Sequence, residues 1–378
     1  MKVILKILLL TLTFILTYHC KKEEPQINIP DYFFLRALIY QKVDIDWNGI
    51  ISKAEAEAVT SLIIDNFYIS DMTGIEAFIN LRFLNCSNNK LTSLNVSKNK
   101  ALTNLSCDSN QLTSLDVSKN TALTDLSFKS NQLASLDISN NTALTFLECS
   151  KNRLTNLDIS YNTELKNIYC DSNQLTSLDV SNNTALTVLF VNSNQLTCID
   201  LTYNTDLELL YCMGNHQLTT IDVSNCTVLY QLYCGYNKLT NLDVTNNTAL
   251  RTLSFDANQL TSLDVSNNKF LHTLYCRKNQ LTSLDVSKNT VLQHLYCSYN
   301  QLTSLNISTN TSLKLLDCSG NQLSSLDVSK NTALSYFIIE NMPSLTKVCV
   351  WQIPFPPTGV SVFTSGSPNV YFTIDCSK

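Results

Sequence analysis

From Leu81 to Val350 the chain repeats itself every 21 residues, and a period this strict decides how it can fold before any other property is considered. Cys86, Cys107, Cys149, Cys170, Cys212, Cys234, Cys276, Cys297 and Cys318 lie 21 or 42 residues apart, with a single step of 22. Phe128, Val191 and Phe255 keep the register in the gaps. The unit reads L-x-x-L-x-C-x-x-N-x-L, then x-x-L-D-V-S-x-N-x-x. Apolar spacings of three and two fit neither a continuous helix nor a long strand, whose periods are about 3.6 and 2 residues. They fit a short strand with a bend at each end. One unit turns inward about six apolar side chains, each contributing roughly 1.5 to 3 kcal/mol. Ordering the same unit costs on the order of 1.5 kcal/mol per residue. A single unit therefore cannot fold alone, and stacking is obligatory. The expected body is one repeat solenoid of about a dozen coils, roughly 4.8 Å apart and near 60 Å long. With only seven glycines and seven prolines in 378 residues, a string of conventional domains is a poor alternative.

In one copy, Leu292, Leu295, Cys297, Asn300 and Leu302 match every place of the pattern. On these residues the chain resembles the leucine-rich repeat family, and more closely the internalin J type, whose 21-residue repeat carries cysteine at one leucine position. The resemblance implies a right-handed coil with a parallel β-sheet on its concave side. The remaining segments divide as residues 1–19, an export signal; 20–30, a charged anchor and linker; 31–65, a helical N-terminal cap; 66–348, the repeats; and 349–378, a small β-rich C-terminal cap.

Position six of the unit points inward, where cysteine behaves as a small hydrophobe. Phe128, Val191 and Phe255 in the same place confirm an apolar site. Stacked parallel strands aim neighbouring Cβ atoms side by side, a poor start for the disulfide dihedral. A ladder of reduced, buried thiols is therefore expected. A straight column does not converge as a tetrahedral metal site requires. Asn89, Asn110, Asn131 and their successors to Asn321 sit where the chain leaves each strand, and an inward amide there can pair with otherwise orphaned backbone groups. Cys349 and Cys376 flank a proline-rich segment beyond the repeats and are expected to close one disulfide. Cys198 and Cys226 fit no column.

The chain begins MKVILKILLLTLTFILTYHC. Lys2 and Lys6 precede an apolar run, Ile7 to Leu16, too short for an ordinary spanning helix, so the segment reads as an export signal. Its end resembles a bacterial lipoprotein signal, which implies that Cys20 carries the lipid anchor. Tyr18 and His19 are bulkier than that pattern prefers. The following KKEE, Lys21 to Glu24, resembles the tag of outer membrane lipoproteins exposed at the cell surface. Membrane contact is thus expected through the lipid anchor only. The net charge of −5 and scattered Lys and Arg give no footprint for nucleic acid.

Ahead of the repeats, DIDWNGIISKAE (Asp44 to Glu55) satisfies D-x-[DN]-x-[DN]-G-x₅-E at every constrained place. It resembles an EF-hand loop. Carried over, the resemblance implies a calcium ligand set of Asp44, Asp46, Asn48, Ile50 through its carbonyl, Ser52 directly or through water, and Glu55 through both oxygens, with Gly49 permitting the turn. Such an extracellular loop binds calcium at roughly 10⁻⁴ to 10⁻³ M, as a structural ion. The flanks DYFFLRALIYQK and SKAEAEAVTSLII both read as short helices, with Ser52 as N-cap and Glu55 completing a capping box.

On the outward side of the strands, Tyr169, Phe190, Tyr211, Tyr233, Tyr275 and Tyr296 form an aromatic stripe, with Val188, Leu209 and His294 beside it. Stacked rings can stabilise a sheet by themselves, but an exposed apolar stripe of this extent also marks a binding surface. The expected partner is a macromolecule, protein or glycan, and the internalin resemblance implies adhesion. A spacer lipoprotein with no specific ligand is the alternative. The extra residue near His216 is expected to form a small bulge beside the stripe. Opposite, Asp116 and its equivalents to Asp327 form a carboxylate column whose repulsion Ser, Thr and backbone N–H groups are expected to offset. His216, His272 and His294 stand in no catalytic motif, and no glycine-rich phosphate loop exists, so an enzyme is not expected.

Overall fold

The computed structural model describes residues 26–376. The export signal, Cys20 and the KKEE run lie outside the described residues. Fifteen three-residue strands form one parallel sheet, from Ser61–Ile63 at one end to Ser361–Phe363 at the other. In each repeat strand the middle residue is buried and its two neighbours face outward, as in Asn167–Tyr169 and Val188–Phe190. Strands pair in strict register, Ile168 with Leu189 and Leu189 with Leu210, because every coil supplies the same apolar residue at the same place. The ladder cysteines and the repeat leucines form one continuous core along the solenoid.

The sheet runs past both ends of the 66–348 stretch read as repeats. SKAEAEAVTSLII does not stay helical: α2 spans Lys53–Ala58, and Ser61–Ile63 then pairs with Phe83–Asn85. Alanine and glutamate favour helix over the first part, whereas the Ile-rich end joins the open edge of the first coil. At the far end, Ser361–Phe363 continues the main sheet, while Ser325–Asp327, Lys347–Cys349 and Tyr371–Thr373 form a second, three-stranded sheet. Cys349 and Cys376 form a disulfide in this segment.

At the N-terminal end, α1 (Tyr32–Tyr40) is capped by Asp31, which accepts from Phe34 N at 2.9 Å. The other oxygen of Asp31 accepts from Ser70 N, Ser70 Oγ and Asp71 N. One carboxylate thus fastens the helix to the first coil. Burial opposes its charge, but these bonds hold its pKa below the usual range.

Two asparagine columns hold the turns. In the first, Asn110 Nδ2 donates to Cys86 O and Cys107 O, and its Oδ1 accepts from Leu91 N at 3.0 Å. The second, from Asn99 to Asn331, is fully buried; Asn120 Nδ2 donates to Val96 O and Asn99 O. Cys226 occupies a place in this second column and donates weakly to Asn204 O at 3.6 Å. Cys198 is exposed on the Ser93 and Ser114 register. The carboxylate column does not lie on a strand over most of its length, but each carboxylate is held locally through one oxygen: Asp158 Oδ1 accepts from Ser160 N and Ser160 Oγ. Those bonds keep the Asp158 carboxyl below its usual pKa.

The coil of 22 residues leaves the sheet undisturbed, since Leu209 still pairs with Gln231 and Tyr211 with Tyr233. No bulge forms beside the stripe. The extra residue is absorbed after the strand, where Leu218 N turns back to Asn215 O at 2.8 Å instead of reaching Asn237 Oδ1.

Candidate functional site

The third position of each strand alternates with two buried neighbours, so a ring placed there must lie along the sheet surface against the ring one strand away. Ring centroids are 4.9 Å apart for Tyr169 and Phe190, 4.1 Å for Phe190 and Tyr211, and 4.4 Å for Tyr211 and Tyr233. Ser254 interrupts the series, and Tyr275 and Tyr296 resume it at 4.7 Å. Tyr169, Val188, Phe190, Leu209, Tyr211, Tyr233, Tyr275, His294 and Tyr296 are all half-buried on this one face.

Two ring pairs in the stripe are stacked. Phe190 and Tyr211 lie nearly parallel at 5°, and Tyr275 and Tyr296 at 12°, whereas Tyr169 meets Phe190 edge-on at 76° and Tyr211 is tilted 50° to Tyr233. Burial of Tyr211, with Tyr233 and Tyr230 beside it, pushes its hydroxyl up to about 12, so it stays a neutral hydrogen-bonding group; it donates to Gln231 Oε1 at 2.6 Å. Burial first, and Lys314 second, push His294 below its ordinary pKa.

Three features of the face escape a reading of the stripe alone. Phe146 extends it by one ring, 5.5 Å from Tyr169, from the first strand position rather than the third. Arg277 lies over Tyr275 and Tyr296, 5.6 and 5.0 Å from their centroids, and its guanidinium pairs with Asp256 at 2.8 Å. Between Phe83 and Phe146, short side chains such as Ser106 and Ser127 leave a shallow hollow of about 160 Å³. The polar residue after each ladder position is the one sequence signal for another column: Asp108 Oδ1 accepts from Lys129 N, and Asp171 Oδ1 from Asn192 N, clamping coil to coil.

The ladder thiols are buried and free, among them Cys86, Cys212 and Cys297. Burial pushes the Cys86 and Cys212 thiols up to about 12, so they are neutral and unreactive in the folded protein. Cys276 Sγ donates to Tyr296 O at 3.3 Å, a weak bond to the neighbouring strand.

In the N-terminal loop, Asp44 is buried and accepts from Asn48 N at 3.1 Å and Gly49 N at 2.9 Å. Asn48 Oδ1 accepts from Ile50 N at 2.8 Å, and Gly49 has φ +82 with open space where a Cβ would stand. One oxygen each of Asp44, Asp46 and Glu55 lies within 4.8 Å of the others. Three carboxylates so close repel unless a cation joins them, so the donor set fits a hard divalent ion. Ser52 Oγ is engaged in the capping box, and Glu55 also accepts from Ile45 N at 2.7 Å. Burial opposes the charge on Glu55, but the bonds from Ser52 and Ile45 prevail and lower its pKa.

A parallel-sheet solenoid with an internal thiol column and an outward aromatic face defines the class: a leucine-rich repeat protein with a cysteine ladder. The functional domain of InlJ from Listeria monocytogenes, which includes a cysteine ladder, is 36% identical, with a TM-score of 0.76, over 83% of this chain and 73% of that one. The chain belongs to this internalin J-like family. A leucine-rich repeat protein of Leptospira interrogans is 25% identical, with a TM-score of 0.70, over 78% and 80% of the two chains. An internalin, InlF, from Listeria monocytogenes shares the fold at 20% identity and a TM-score of 0.56, over 93% and 96%. No family model matches the sequence, and no curated protein matches it. Among the described residues no helix is long and apolar enough to cross a membrane.

Proposed function

We propose that this is a non-catalytic, exported binding protein, held at the outer membrane surface through a lipid on Cys20, whose concave face takes a protein partner during attachment to another cell. The half-exposed aromatic ridge from Phe146 to Tyr296 carries the reading. A sugar ring stacks on an open aromatic face, and in the Phe190–Tyr211 and Tyr275–Tyr296 pairs one face of each ring is taken by its neighbour. Ring edges with phenol tips suit the mixed apolar and hydrogen-bonding surface of a protein. Replacing Tyr169, Phe190, Tyr211 and Tyr233 together by serine is expected to abolish cell attachment while the repeats still fold. Captured glycans would move the ligand class to carbohydrate. The tight stacking also favours a second reading, a spacer whose rings serve only packing; reduced stability with attachment unchanged would establish it. Calcium in the Asp44 to Glu55 loop serves as a structural ion of the N-terminal cap, held by Asp44, Asp46, Asn48, the Ile50 carbonyl and Glu55, with Ser52 contributing through water.

A further inference from the structure

The calcium loop exposes apolar side chains that no fold requirement explains. Ile45 is 66% exposed, Trp47 72% and Ile50 38%. Trp47 also has φ +60, a left-handed backbone that disfavours a bulky residue and is better filled by Gly or Asn. Neither packing nor backbone geometry selects tryptophan there. The chain leading to this loop is short. Gln26 forms an antiparallel bridge with Ser52, and Ile27 N donates to Ile51 O at 3.0 Å, so residue 26 is fixed on the loop itself. Five residues, Lys21 to Pro25, separate it from Cys20, a reach of at most about 22 Å when fully extended.

We infer that Ile45, Trp47 and Ile50 seat the N-terminal cap in the interface of the lipid bilayer that holds the anchor. A tether this short keeps the loop close to the membrane, and tryptophan is the residue that membrane interfaces take best, having an apolar body and a polar N–H. Calcium reinforces the seat, since a divalent ion offsets two of the three carboxylate charges of Asp44, Asp46 and Glu55. The inference rests on the proposed lipid anchor at Cys20.

The chain has two tryptophans, and they lie at opposite ends of the solenoid, Trp47 in the N-terminal cap and Trp351 in the last coils, where it packs on Phe355. The test uses full-length lipidated protein in phosphatidylcholine vesicles in calcium-containing buffer, as the Trp351→Phe and Trp47→Phe variants, each with one fluorophore. With brominated lipid, Trp47 emission is expected to shift to the blue and fall at least twofold, while Trp351 emission stays unchanged. Protein that floats with the vesicles but whose Trp47 is quenched only by aqueous iodide would overturn the seat and leave the anchor standing. Protein that does not float would remove the anchor, and the seat with it.

Discussion

At the scale of single residues, the interior is organised as columns, and each column tolerates a different set of side chains. The thiol column accepts Phe128, Val191 and Phe255 because only apolar volume matters there. The second asparagine column is stricter, since each Nδ2 serves two carbonyls in the coils before it. Cys226 breaks that rule with a single weak bond to Asn204 O. Cys226→Asn supplies the missing donor but, like its column neighbours Asn204 and Asn247, adds a buried Oδ1 without a partner, so stability read from the midpoint of urea unfolding is expected to shift by less than about 1 kcal/mol in either direction. The turn after each strand passes through a left-handed residue, which Gly214 adopts freely and which Ser109, Lys151, Ala257 and Tyr299 adopt at a small cost in backbone strain that the stacked coils outweigh. This explains how so long a regular chain manages with so few glycines.

At the scale of elements, most of the solenoid was legible because each coil repeats one burial pattern, and the stripe, the thiol column and the Asn89 to Asn321 column follow from counting. The ends were less legible, because capping elements carry no repeat. Ser61–Ile63 follows directly on a helix-forming stretch, and only its pairing with Phe83–Asn85 makes it a strand. Cys226 and Phe146 were missed for a different reason: each is visible only once a second column, or the first strand position, is aligned across coils. The capping box of Ser52 and Glu55 and the left-handed turn at Gly49 were readable, since both lie within one twelve-residue stretch. Glu55→Gln keeps the capping box, because glutamine serves that position too, but removes a charged ligand. Wild-type protein is expected to gain about 1.4 kcal/mol from calcium at ten times its dissociation constant. In the variant this calcium-dependent rise in melting temperature should disappear, as differential scanning calorimetry with calcium and with chelator would show.

At the scale of the whole molecule, stability passes from coil to coil through the columns, and the 22-residue coil is the one place where the first asparagine column is broken. There Asn237 Oδ1 has no protein partner, whereas Asn110 Oδ1 receives Leu91 N. Deleting His216 returns the local sequence to the 21-residue form and lets Leu218 N reach Asn237 Oδ1. The deletion is expected to add about 1 kcal/mol and to sharpen thermal unfolding. Unchanged stability with slow amide exchange already present at Leu218 would show that the column's continuity is unimportant there.

Because every regular coil offers its neighbours the same donors, acceptors and apolar volume, duplicating a 21-residue segment inserts one more rung of roughly 4.8 Å and disturbs neither cap. Reach can thus lengthen or shorten by whole rungs over evolutionary time. The odd coil beside Tyr211 and Tyr233 is the exception: copying it would propagate a mismatched turn, so it marks a landmark about which the surrounding rungs can be gained or lost.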